Sequence, residues 1–162
     1  MKFLERLSRI LDDVTSTISG ILMSVLSILT LIGVFFRYVL GSPLEWSYEL
    51  SIVSFAWMIF LGTAMAFKNH EHISINIVVD HLSPKVGYYW KQVINSIIMI
   101  FLVLVVYHGM QVAMKTMGQK YNTIPLSKGV FYLSFPIAAL PAFVHVLHRT
   151  FKMRNDYKGG AK

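Results

Sequence analysis

The sequence predicts an all-α integral membrane protein: four transmembrane helices, amphipathic helical segments at the interface, and both termini in the cytoplasm. Three observations carry this. Hydrophobic residues make up 55% of the 162 residues and charged ones only 14%, with a mean hydropathy of +0.57, whereas a soluble domain carries about 25% charged residues. Four uncharged runs stand out, Val14–Phe36, Leu50–Phe67, Gln92–Met114 and Gly129–Leu147, and roughly 20 residues of helix cross ~30 Å of hydrocarbon. Finally, Lys and Arg total 11 in the N-terminal arm, the second connection and the C-terminal tail together, against 4 in the first and third connections. The strongest single excess lies in the tail, and basic residues stay on the cytoplasmic side.

Met1–Asp13 comes first. Phe3, Leu4, Leu7, Ile10, Leu11 and Val14 recur at helical spacing, with Lys2, Glu5, Arg6, Arg9, Asp12 and Asp13 on the other side. This pattern predicts an amphipathic helix on the membrane surface, running into a first span over about residues 14–40. Its apolar run is too long for a secretory signal and no small-residue cleavage pattern follows, so the run reads as a retained span. The second span is read over 43–67. Ser42 is placed to cap it, Pro43 to occupy the first turn and Glu45 to complete a capping box. Ser83-Pro84 repeats the device before a third span over 86–114, and Pro125 marks the start of a fourth over 126–148. Residues 149–162 form a basic cytoplasmic tail, so the whole of 1–162 is one membrane domain. Tyr38, Trp46 and Tyr48, then Tyr88, Tyr89 and Trp90, are placed as interfacial aromatics. Small residues step by four along three spans (Ser16, Gly20, Ser24; Gly62, Ala66; Ser134, Ala138, Ala142) and let helices approach closely. Pro136 and Pro141 loosen the fourth helix, which then needs neighbours for its freed carbonyls.

Composition also excludes chemistry. The chain has no cysteine, so disulfides, thiolate metal sites and cysteine nucleophiles are ruled out. A formal net charge of +7 raises nucleic acid as a partner, but the basic residues flank apolar runs instead of lining one face. Phospholipid headgroups are the expected partner, and no nucleic acid. No Asp, Glu, Lys or Arg interrupts any of the four runs. Carriers of protons or ions need ionisable groups at membrane depth, so neither an enzyme nor a self-sufficient transporter is expected.

Histidines supply the remaining candidates. His70, His72 and His81 lie in the second connection, but i and i+2 face apart on a helix, and Ile73, Ile77, Val78 and Leu82 form one apolar stripe. An amphipathic surface segment is expected there, without a metal. His108 and His145 lie in the third and fourth runs. They leave open an alternative, a haem-binding membrane anchor of a redox enzyme; the predicted topology puts them in opposite leaflets, where they cannot ligate one iron. No cofactor is expected.

The first connection, from Arg37 to Glu49, holds Glu45 and Glu49 four apart on one helix face. Arg37 is its only basic residue, and a contact from Arg37 to one of these carboxylates across the turn is expected. Which of the two it takes stays open.

Phe36-Arg37-Tyr38 followed by Gly41, Pro43, Trp46 and Glu49 resembles the small membrane subunit (DctQ/SiaQ-like) of tripartite ATP-independent periplasmic (TRAP) transporters. The likeness continues through Phe60-Leu61-Gly62-Thr63-Ala64, His72-Ile73-Ser74-Ile75, Ile124-Pro125-Leu126 and Tyr132-Leu133-Ser134-Phe135-Pro136, covering most of the chain. Tyr48 departs from it, since the family often has two consecutive acids at this point. The resemblance implies a non-catalytic scaffold in the bacterial inner membrane. Its partners would be a large sodium-coupled, elevator-type membrane subunit and a periplasmic solute-binding protein for organic acids such as C4-dicarboxylates or sialic acid. It marks Arg37, Tyr38, Gly41, Pro43, Glu45, Trp46, Glu49, Gly62, His72 and Pro136 as motif or subunit-interface positions. With the third connection facing the periplasm, Lys115, Lys120 and Lys128 are candidates for docking an acidic patch of the binding protein.

Overall fold

In the computed structural model, residues 2–69 and 84–159 are described. They form four long helices: α1 (Lys2–Tyr38), α2 (Glu45–Asn69), α3 (Pro84–Thr116) and α4 (Lys128–Gly159). Each is long and apolar enough to cross a membrane. The expected all-α architecture is therefore present, with some boundaries moved. α1 is one uninterrupted helix of 37 residues, about 55 Å long at 1.5 Å per residue, so its amphipathic start is coaxial with the span. α4 likewise runs through the basic tail to Gly159.

The cap expected at Ser42 is not used that way. α2 begins at Glu45, where Leu44 O accepts the Ser47 N–H at 3.2 Å. Ser42 instead closes α1. Its N–H reaches back to Phe36 O at 3.1 Å, across Gly41 at φ +63°. That left-handed backbone costs glycine nothing and costs other residues strain, which explains Gly41 in the motif. Pro125 also precedes its helix. The residue that starts α4 is Ser127, whose Oγ accepts the Gly129 N–H at 3.0 Å and donates to Met117 O at 2.7 Å. One hydroxyl thus caps α4 and ties it to the end of α3. Pro84, by contrast, opens α3 as expected, because the first turn has no use for its missing N–H.

The helices do not form a closed four-helix bundle. Among the described residues, α4 is central and packs on α1, α2 and α3; α1 packs also on α2; α3 packs on α4 alone. Side-chain contacts set the directions. Ser47 Oγ donates to Leu29 O, and Lys68 pairs with Asp12, so α1 and α2 are antiparallel. Trp57 Nε1 donates to Val130 O at 3.0 Å, placing α2 beside α4 in the same direction. The α1–α2 and α3–α4 connections therefore share one end, called here the connection end. The starts of α1 and α3 and the ends of α2 and α4 share the terminal end.

Small residues decide how near the helices come. Ser134, Ala138 and Ala142 are all buried and form the seam of α4 with its neighbours. Ala64, Leu102, Ala139, Ala142 and Val146 make the apolar core. An added Cβ at Gly109 would lie 3.1 Å from Pro136 Cδ, and one at Gly33 would lie 2.9 Å from Ser47 Oγ. The other two stripes behave differently. Ser16, Gly20 and Ser24 are exposed, and Gly20 and Gly62 have nothing within 4 Å of an added Cβ. Most of α1 and α3 presents large apolar side chains outward, among them Ile21, Met23, Leu31, Ile97 and Phe101. Lipid tails or a second membrane subunit satisfy such surfaces at no hydrophobic cost.

Polar groups gather at the terminal end. Ser8 Oγ lies 2.7 Å from His145 Nδ1, joining α1 to α4. Asp12 and Lys68 form an ion pair between α1 and α2, with side chains only 18% and 32% exposed. Half-burial raises what such a pair contributes and what breaking it costs. Lys68→Ala is therefore expected to destabilise the chain by about 1–3 kcal/mol. The exchange Asp12→Lys with Lys68→Asp should recover part of this. Equilibrium unfolding in mixed micelles reads both.

Candidate functional site

The connection end brings together most of the residues singled out from sequence. Its centre is Glu49, in the second turn of α2. Glu49 Oε1 accepts the Asn122 N–H at 3.0 Å. Oε2 accepts the Thr123 N–H at 2.9 Å, the Thr123 hydroxyl at 2.5 Å and the Ile124 N–H at 3.2 Å. Three successive backbone N–H groups converging on one anion form a nest, and bonds to a carboxylate are the strong kind. Here the anion is supplied in cis, by a neighbouring helix. The α3–α4 connection also has bonds of its own. Tyr121 N bonds Leu126 O at 3.0 Å, Lys128 N bonds Gln119 O at 2.8 Å, and Lys120 and Ser127 form an isolated antiparallel bridge. Ile124 is buried behind the nest. Burial, and then the neighbouring Glu49 carboxylate and Tyr132, push the Tyr121 phenol above its ordinary value, so Tyr121 stays neutral and adds no charge.

The Arg37–carboxylate contact expected from sequence is not made. Among the described residues the ion pairs within 4 Å are Arg9–Glu5 and Lys68–Asp12. Arg37 instead lies over its neighbour's ring, 5.7 Å from the Tyr38 centroid. The physical reason is competition. Three peptide N–H groups and a hydroxyl already occupy both Glu49 oxygens, and they are held in place by the connection, whereas an exposed Arg side chain gives up rotamer freedom to form a pair.

The other candidates divide as follows. Tyr38, Trp46 and Tyr48 are exposed around the α1–α2 turn, suiting interfacial aromatics. Pro43 lies in that turn, and Glu45 opens α2 with an exposed side chain. Pro136 is fully buried against α3. Lys115, Lys120 and Lys128 are exposed at the end of α3, in the connection and at the start of α4. Gly62 lies away from this end, with open space beside it. His72, with His70 and His81, falls outside the described residues. His108 is exposed in the connection-end half of α3, while His145 is buried in the terminal-end half of α4, so the two histidines considered for haem are far apart. Among the described residues no three His, Cys, Asp or Glu side chains converge on a metal-sized site.

Sequence reasoning missed the Asn122–Ile124 nest, Ser127 and the Ser8–His145 contact. The signal for Ser127 was available, as a Ser one residue before a basic, Gly-containing helix start. The nest had none, since backbone donors leave no mark in a sequence.

The sequence of this four-helix chain matches a known family. Residues 26–155 fit the family model described as tripartite ATP-independent periplasmic transporters, DctQ component. The chain belongs to the DctQ family of TRAP transporter small subunits. Among its relatives is a Haemophilus influenzae protein assigned as a TRAP transporter small permease, 24% identical over 94% of this chain and 91% of its own length. The sialic acid TRAP transporter small permease SiaQ of Vibrio cholerae is 23% identical over 93% of this chain and 87% of its own. The C4-dicarboxylate TRAP transporter small permease DctQ of the same organism is 25% identical over 46% of this chain and 32% of its own. A DctQ-family chain is a transporter subunit and not an enzyme. Membership implies partnership with a large membrane subunit and a solute-binding protein.

Proposed function

We propose that this DctQ-family chain is the fixed scaffold of a sodium-coupled TRAP transporter for organic acid uptake. It would pack on the large elevator-type subunit in the inner membrane, with both termini in the cytoplasm. The observation that carries this is the absence of Asp, Glu, Lys and Arg from all four apolar runs. A chain with no charged group in its apolar runs lacks the ionisable side chains that commonly mark ion pathways at membrane depth. The outward apolar faces of α1 and α3 supply the surface that such a scaffold needs. C4-dicarboxylate and sialic acid, the solutes named for the two Vibrio cholerae relatives, support an organic acid as the solute; the residues that hold it would belong to other polypeptides.

Reconstitution tests the reading. Proteoliposomes with the large subunit, the binding protein and an inward sodium gradient should accumulate the organic acid only when this chain is present. This chain alone should accumulate none, and uptake by it alone would refute the scaffold role.

The basic connection end supports a docking role in the periplasm. Lys115, Lys120 and Lys128 surround a connection whose nearest acid, Glu49, is already engaged, so the surface is net positive. Replacing all three by Glu should raise the concentration of binding protein needed for half-maximal uptake by roughly tenfold at low salt, with a smaller effect at high salt. Unchanged uptake at both salt concentrations would remove the docking role and leave the scaffold role standing.

A further inference from the structure

A cleft of about 580 Å³ opens between the end of α1 and the start of α2, within the range of pockets that hold small molecules. Leu29, Gly33 and Val34 of α1 line it together with Arg37, Glu45 and Tyr48. Two of these groups are left over from the folding of the chain. Arg37 makes no ion pair among the described residues, and neither does Glu45. Glu49 also lines the cleft, but both of its oxygens are already occupied by the α3–α4 connection. The cleft therefore has one available cation, one available anion and an apolar floor. It lies at the level of Tyr38, Trp46 and Tyr48, where aromatic side chains mark the headgroup region.

We propose that this cleft binds one phospholipid with a primary ammonium headgroup, phosphatidylethanolamine. Its phosphate would lie on Arg37 and its ammonium on Glu45, with an acyl chain along Leu29, Gly33 and Val34. Charge complementarity selects this occupant. Phosphatidylglycerol offers Glu45 no cation. Phosphatidylcholine offers a quaternary ammonium without an N–H to donate, and a charge-assisted hydrogen bond is the stronger interaction. The proposal rests on the membrane location of the chain and not on the docking role of the lysines.

Native mass spectrometry of the full chain in detergent, alone and with the large subunit, tests this with the three phospholipids in competition. The wild-type chain should retain one phosphatidylethanolamine, in preference to the other two by roughly tenfold. Arg37→Gln should lower retention of all three. Glu45→Gln should keep binding and abolish the preference. Val34→Trp, which fills the groove from an exposed position without altering charge, should exclude lipid while the helical circular dichroism stays unchanged. Equal retention of the three lipids by the wild type, or retention unaffected by Arg37→Gln and Val34→Trp, would overturn the proposal. So would loss of the lipid on binding the large subunit, which would assign the cleft to that partner.

Discussion

Glu49→Ala is expected to release the α3–α4 connection while leaving the four helices in place. The carboxylate is the common acceptor for three peptide N–H groups and one hydroxyl, and no other side chain is positioned to replace it. Amide exchange at Asn122, Thr123 and Ile124 should accelerate by about an order of magnitude or more, with exchange in the cores of α2 and α4 unaltered. The conservative variants separate charge from reach. Glu49→Gln keeps one acceptor oxygen but turns an NH2 toward further N–H donors, so it should lose most of the protection. Glu49→Asp keeps the charge on a side chain one methylene shorter, which draws the carboxylate away from the nest, and it should lose protection too. If this end docks the binding protein, both variants should weaken solute uptake at limiting binding protein while assembly with the large subunit is retained. Unchanged amide exchange in Glu49→Ala would show that the connection keeps its shape without the clamp.

The second large effect is expected at Gly129, in the first turn of α4. An added Cβ would lie 2.7 Å from Ala113 O and 2.7 Å from Met117 Sδ. The sulfur belongs to a flexible side chain and can move. The Ala113 carbonyl belongs to the α3 backbone and cannot move without separating the helices. Among the described residues α4 is the one helix that α3 packs on, so separation at this contact is not offset by packing on another described helix. Gly129→Val should therefore destabilise the chain by about 1–3 kcal/mol, the usual range for overfilling a tight contact. Gly20→Val is the matched control, because an added Cβ there meets nothing within 4 Å. It should be neutral in the isolated chain. Unfolding in mixed micelles compares the two, and equal stability of both variants would mean that α3 and α4 relax apart freely.

Much of this protein was legible before any coordinates. Four uncharged runs flanked by basic residues are enough to require four helices, because a bilayer leaves every backbone N–H and C=O to be satisfied within its own segment. Pro84 at the first turn of α3 was legible for the same kind of reason, being a property of one residue's backbone. So was the motif around Arg37, Gly41 and Glu49, although its residues proved to act differently from the expected pairing. Boundaries were less legible. Ser42 and Pro43 resemble a helix start, yet the left-handed turn at Gly41 takes Ser42 for the end of α1, and two neighbouring helix ends compete for the same polar residues.

Sequence alone thus determined the solvent, the number of spans and the absence of charge from their apolar runs, since these depend on side-chain transfer free energies that add along the chain. Tertiary structure alone decided that α4 is the hub and α3 hangs from it. It also decided that one small-residue stripe is buried while another faces outward, and that Glu49 holds a backbone nest instead of Arg37. Those outcomes depend on which segments meet across more than 70 residues of chain, as Glu49 meets Thr123, and on backbone donors that every residue but proline carries alike.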